Sequence, residues 1–174
     1  MAEDVPAGLE VLERCWQGVL EAIGSEEGSL DRALARAQRN KTRFAILFID
    51  VDKFKAINDQ HGHAAGDQVL TTMASVMAQQ LRDTDIVGRL GGEEFAILLP
   101  DTPLPVAQEM AEQVRLALSG TEVPLNGGLI LAFTVSIGIT GCGASGCEMD
   151  ELLRRADEAL YQAKNAGRNR VCVA

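Results

Sequence analysis

The stretch RLGGEEFAILLP, residues 89–100, constrains the fold more than any other part of this 174-residue chain. Two short apolar runs, DIVGRL (85–90) and EFAILLP (94–100), flank Gly91-Gly92. Paired glycines tolerate the positive φ that a tight two-residue turn requires, so the pattern predicts a β-hairpin. A hairpin in mid-chain joins antiparallel neighbours, which a strictly alternating parallel βα fold does not contain. Helical and strand patterns intermix around it. Residues 6–23 and 28–40 carry apolar positions at helical spacing, interrupted by GSEEGS. FAILFIDVD (44–52) has strand length, and residues 53–59 suit a short helix. Over 66–82, Val69, Leu70, Met73, Val76, Met77 and Leu81 recur at the spacing of one helical face. A helix over 104–118, a strand within 129–140, a helix over 149–165 and a last strand at 170–173 complete the chain. The prediction is an α/β (α+β) domain with a mixed or largely antiparallel sheet and helices around it.

A hydrophobic content of 47% at this length supports one core and a single domain. Sixteen basic against twenty-five acidic residues give a formal charge of −9, which argues against a nucleic-acid backbone or an anionic membrane as partner. That balance leaves room for a small phosphorylated ligand held by a few local cations. No apolar run approaches the roughly 20 residues of a membrane span, and the N-terminus lacks a signal-peptide core. Cys15, Cys142, Cys147 and Cys172 form no CxxC and have no histidine beside them. Reduced thiols in a cytoplasmic protein are therefore expected, rather than a disulfide or zinc framework.

Two adjacent glutamates at a hairpin tip repel each other, and a metal ion is the first candidate to offset that charge. Asp50 and Asp52 sit two apart and share a face if the strand is extended. Asp52 is placed to cap a helix beginning at Lys53, which would leave the N–H groups of Phe54 and Lys55 as an anion site. Asp50 and Glu93 would supply hard oxygen ligands of the kind magnesium prefers. The alternative is a set of ordinary water-facing acids at strand ends. Asn58, His63 and Asp67 lie in KAINDQHGHAAGDQVL, where an amide and a carboxylate together suit the edge of guanine; a plain turn before a helix would also use them. Lys164 and Arg168, four apart, would face one way at a helix end, to neutralise a triphosphate or simply to complement the helix dipole. No GxxxxGK[ST] loop is present, so a Walker-type cradle is excluded.

Taken in order, FIDVDKFKAINDQHGHAAGDQVL (48–70), GGEEF (91–95) and RRADEALYQAKNAGRNRV (154–171) resemble the signatures of the GGDEF family of diguanylate cyclases. The resemblance spans about residue 30 to the end, so residues 30–174 are taken as the GGDEF domain and 1–29 as a divergent N-terminal helical segment. It implies a palm-like nucleotidyl cyclase fold with a central, mainly antiparallel five-stranded sheet surrounded by helices. It also implies condensation of two GTP into cyclic di-GMP and two pyrophosphates across a two-fold homodimer, dependent on Mg2+ or, in its place, Mn2+. By position, Asp50, Glu93 and the carbonyl of Val51 match metal ligands. Glu93 also matches the group that takes the proton from the attacking hydroxyl, and Lys55 a cation on the transferring phosphoryl group. Phe54, Asn58, His63 and Asp67 fall in the substrate-contacting segment, with Lys164 and Arg168 on the outer phosphates. RDTD (82–85) fits an RxxD product-inhibition site, formed by Arg82 and Asp85, with five residues, 86–90, between it and Gly91. One departure stands out: no convincing DxLTGLxNR motif opens the chain. A domain of this kind that has lost turnover would instead serve as a GTP or cyclic di-GMP receptor.

Overall fold

The strand β1 (Phe44–Val51) is buried along its length because it is the middle strand of five, in the order β2-β3-β1-β6-β7. The computed structural model describes residues 35–36 and 39–174. On one side β1 pairs antiparallel with β3 (Glu94–Pro100), which turns back from β2 (Ile86–Gly91); on the other it pairs antiparallel with β6 (Val135–Cys142). Only β7 (Val171–Val173) runs parallel to its neighbour, β6. The sheet is thus mixed and mainly antiparallel, as the hairpin requires.

Alternation along the strands sorts the core into two layers. Ala45, Leu47, Ile49 and Val51 join Phe95, Ile97 and Ile137 against the apolar faces of α2 (His63–Gln80) and α3 (Leu104–Ser119). The short α1 (Phe54–His61) adds Ile57 to this layer. Phe44, Ile46, Leu98 and Cys142 face the other way and meet Leu152 of α4 (Met149–Asn165). The approach of α4 depends on Gly138 in β6. A Cβ there would fall closer than 3.0 Å to backbone atoms of Ala156, Ala159 and Leu160, so no larger residue fits without moving the helix. Among the described residues, no helix is long and apolar enough to cross a membrane.

Several expectations need correction. The strand expected within 129–140 divides in two. Its first part, β5 (Ile130–Ala132), pairs with a short β4 (Glu122–Pro124) in a separate hairpin turned by Gly127 and Gly128, and β6 follows. Cys142 and Cys147 form a disulfide, contrary to the expectation of reduced thiols. The intervening turn, closed by Gly146 N–H to the Gly143 carbonyl at 3.0 Å, brings their Cα atoms to 5.7 Å. Cys172 is free and Cys15 lies outside the described residues. So does the expected helix over 6–23; of that over 28–40, Ala35, Arg36 and Arg39 are helical.

Candidate active site

The end of β1 and the tip of the β2–β3 hairpin meet. Asp50 lies opposite Glu94 in the ladder, and the Val51 N–H donates to the Glu93 carbonyl at 3.4 Å. A bulge between Arg89 and Gly91 and a positive φ of 49° at Gly92 shape the tip. Arg89 donates to the Gly92 carbonyl through Nε at 2.9 Å and Nη2 at 2.6 Å, a clamp that sequence reading missed. Arg89 stands two residues before the glycines, but only the folded turn shows which carbonyl it reaches.

Asp50 is buried, and Lys164 Nζ donates to its Oδ2 at 2.8 Å. Burial pushes the Asp50 carboxyl above its ordinary value; the Lys164 hydrogen bond and charge pull it down, while Glu93 and Glu94 push it up again. A carboxylate short of positive charge, beside two further acids, is chemically suited to a hard divalent cation. Among the described residues, no group of three His, Cys, Asp or Glu encloses a metal by itself. Asp50 and Glu93 would supply only part of an oxygen shell, of the sort magnesium completes with water and phosphate oxygens.

Asp52 does not cap α1, which corrects the expected role. Its Oδ1 accepts from Ser136 Oγ at 2.6 Å, and its Oδ2 accepts from Thr134 Oγ1 at 2.7 Å and the Asn169 N–H at 3.0 Å. The carboxylate is engaged elsewhere, so α1 starts after a left-handed Lys53 (φ 55°) with no side-chain cap. Its first N–H groups, including those of Phe54 and Lys55, have no partner within the helix. Asp50 reaches Lys164 near the end of α4, and Asp52 reaches Asn169 in the turn after it.

Asn58 projects from α1 toward α2, where Gly66 leaves room for it: a Cβ at Gly66 would collide with Asn58 Oδ1. That oxygen is buried and has no hydrogen-bond partner, which is unusual for a buried polar atom. Asp67 follows Gly66 and is exposed, as are Lys55 and His63 at the start of α2. Arg168 is not on the face of a helix with Lys164, contrary to expectation. The helix stops at Asn165, Gly167 takes φ 118°, and Arg168 follows in a left-handed conformation (φ 64°). It lines a cleft of about 530 Å³ with Lys53, Ile57, His61 and Asn169.

Arg82 and Asp85 lie at the opposite end of the β2–β3 hairpin from the glutamates, and they pair with each other. Asp85 Oδ2 accepts from the Arg82 N–H at 2.9 Å, and Oδ1 lies 3.3 Å from Arg82 Nη2 without hydrogen-bond geometry. Arg82 Nη2 also donates to Thr102 at 2.7 Å. The structure therefore gathers Asp50, Val51, Glu93 and Lys164 at one place, starts α1 just after Val51 in the chain, and keeps the Arg82–Asp85 pair at the other end of the hairpin.

The chain matches the family model described as the diguanylate cyclase GGDEF domain over residues 26–170. It is 42% identical over 145 residues to the response regulator PleD of Caulobacter vibrioides, covering 83% of this chain and 32% of that protein. It is 46% identical over 131 residues to the diguanylate cyclase DgcM of Escherichia coli, covering 75% and 31%. The aligned region spans about a third of the length of these curated relatives. Among solved structures, the GGDEF domain of DgcB from Caulobacter crescentus in complex with c-di-GMP is 35% identical with a TM-score of 0.78, covering 83% of each chain. The active GGEEF domain of a diguanylate cyclase from Vibrio cholerae is 36% identical with a TM-score of 0.73, covering 82% of this chain and 89% of that one.

Proposed function

We propose, from the premise that this chain belongs to the diguanylate cyclase GGDEF-domain family, that it condenses two GTP molecules into cyclic di-GMP. Each 3′-hydroxyl attacks the α-phosphorus of the other nucleotide, two phosphodiester bonds form, and two pyrophosphates leave. Two copies of the domain, each holding one GTP, would face each other as a homodimer. Residues 30–174 form the catalytic domain in this proposal and 1–29 a divergent lead-in. A cytoplasmic location follows from the substrate.

The observation that carries the proposal is the junction of β1 with the hairpin tip, which sets Asp50 beside Glu93 and Glu94. Asp50, Glu93 and the Val51 carbonyl would hold Mg2+, with Mn2+ as a substitute. When bound, the ion offsets negative charge on the phosphate oxygens during in-line displacement. Glu93 takes the proton of the attacking hydroxyl. Lys55 and the free N–H groups at the start of α1, including that of Phe54, receive phosphate oxygens. The unpartnered Asn58 amide and the exposed Asp67 carboxylate read guanine, with His63 beside them. Lys164 and Arg168 meet the outer phosphates. Arg82 and Asp85 supply a separate product site. Their mutual pairing means that bound cyclic di-GMP must replace contacts the two residues already make, which favours a ligand carrying both a phosphate and a base edge.

Incubation of the purified protein with Mg2+ and GTP, resolved by chromatography, tests the proposal. The expected result is cyclic di-GMP that disappears in Glu93→Gln. Nucleotide binding with no turnover at high protein concentration would instead identify a GTP or cyclic di-GMP receptor.

A further inference from the structure

After α4, Gly167, Arg168 and Asn169 take φ values of 118°, 64° and 45° in succession. Two of these three carry side chains; asparagine tolerates a left-handed backbone, but for Arg168 it is unfavourable. Such strain persists only where surrounding contacts over-determine it. Here the grip falls on Asn169 from two directions. Its N–H donates to Asp52 Oδ2 at 3.0 Å, from the segment that follows β1. Its side-chain Oδ1 accepts from Arg115 Nη1 at 2.8 Å, from α3. Both anchors are themselves immobilised. Asp52 is buried and takes the hydroxyls of Thr134 and Ser136, while Arg115 is mostly buried and its Nε is fixed on Glu112 at 2.6 Å.

Arg168 sits between these constraints and is treated differently. Its N–H donates to the Ala163 carbonyl at 3.0 Å, and its own carbonyl accepts from Arg170 Nε at 3.1 Å, so the backbone is pinned. Among the described residues, its guanidinium has no hydrogen-bond or ion-pair partner. It opens on the 530 Å³ cleft, as does Lys53, a second left-handed residue with an unpaired cation (φ 55°). A glycine would serve the turn at lower cost. An arginine held in a strained backbone, with its charged end left free, serves a ligand that is not part of the protein.

We propose that Asp52 and Arg115 are positioning residues, which lock Asn169 and thereby aim Arg168 at the outer phosphates of the substrate. The inference rests on the nucleotide site proposed above. Neither residue touches the substrate. Asp52 ties the turn to the same stretch of chain that carries Asp50, so the aim of Arg168 is registered against the metal-side carboxylate two residues away. Arg115 adds a lateral brace from the other layer of the fold.

Calorimetric titration of the 174-residue protein with a non-hydrolysable GTP analogue and Mg2+ tests this, with GMP as the control that lacks the outer phosphates. Arg168→Met should weaken analogue binding by about tenfold, the loss of one charge-assisted hydrogen bond. Arg115→Met should weaken it by about three- to tenfold, since the guanidinium would remain but lose its aim. The Arg115→Met/Arg168→Met double variant should bind no more weakly than Arg168→Met alone, because both act through one contact. GMP should bind all variants alike. Asp52→Asn should follow Arg115→Met; if that variant fails to fold, the Arg115 series decides alone. Should Arg168→Met weaken binding while Arg115→Met leaves it unchanged, or should the two effects add, the positioning role is overturned and the nucleotide site stands. Should Arg168→Met have no effect while the wild type binds the analogue, Arg168 does not meet the outer phosphates and the inference falls alone; should the wild type not bind the analogue, the nucleotide site fails and the inference falls with it.

Discussion

Replacing Gly66 by Ala separates recognition from stability, because the new methyl group meets a side chain rather than the backbone. At this helical position the Cβ would stand 3.0 Å from both Asn58 Cγ and Phe54 Cζ and would collide outright with Asn58 Oδ1. Those are side-chain rather than backbone atoms, so Asn58 turns aside while α1 and α2 keep their packing. An off-rotamer side chain costs about 0.5–1.5 kcal/mol. Alanine in place of glycine within a helix returns about 0.8–1 kcal/mol. The two nearly cancel, and the expected change in unfolding free energy is within about 1 kcal/mol of zero. The amide, however, is no longer where it was. Losing one or two of its hydrogen bonds to a base, at about 1–1.5 kcal/mol each, weakens GTP binding by roughly tenfold or more. Urea denaturation measures the first quantity, and calorimetry with a non-hydrolysable GTP analogue measures the second. Discrimination between guanine and adenine triphosphates should fall in the same variant. If Gly66→Ala gains the full helical stabilisation and binds the analogue as tightly as wild type, Asn58 does not occupy this position or does not read the base.

Gly138→Ala should behave in the opposite way. Its Cβ meets the backbone of α4, which cannot turn aside, so the helix must lift from the sheet. The expected cost is about 1–3 kcal/mol, read as a lowered melting temperature. Asp50→Asn should abolish the proposed turnover by roughly 10²–10³-fold, the usual loss when a group stabilising developing charge is removed. Its effect on stability has a definite sign. The folded protein binds the Asp50 proton more tightly than the unfolded chain does, because burial raises the carboxyl's affinity for it. Ionisation therefore costs stability as pH rises through the raised value, and the neutral variant should gain on the wild type near pH 7. That advantage should vanish below the ordinary carboxylate range; thermal melts at pH 7 and pH 3 check it, and an advantage that grows on acidification would contradict the assigned cause. Arg82→Ala should weaken cyclic di-GMP binding and relieve product inhibition while turnover persists, and an unchanged calorimetric affinity would remove the proposed product site.

What could be read in the sequence was whatever depends on near neighbours along the chain. The hairpin around Gly91-Gly92, the apolar run of β1 and the helix over 149–165 emerged where periodicity and turn residues placed them. The corrections have two physical origins: a partner that comes from far along the chain, and a glycine that overrides a local pattern. Asp52 has the residue type and position of an N-cap, but its hydrogen-bond partners lie 82, 84 and 117 residues further on. Those three donors hold the carboxylate toward β6 and the turn after α4, and the helix starts without it. Lys164 and Arg168 have helical spacing, yet Gly167 stands between them and ends the helix, a breaker that outweighed the i, i+4 pattern. The missing CxxC argued against a disulfide only if the turn between Cys142 and Cys147 could not close, and its glycines let it close. In the candidate site the same division recurs. Motif positions named Asp50, Glu93 and Lys164, but the Asp50–Lys164 contact joins residues 114 apart, and its energetic consequence exists only when the sheet buries the aspartate. A carboxylate kept unfavourable by burial and by two neighbouring acids is a cost that folding alone does not require, and it is at such positions that local rules and the folded structure should disagree.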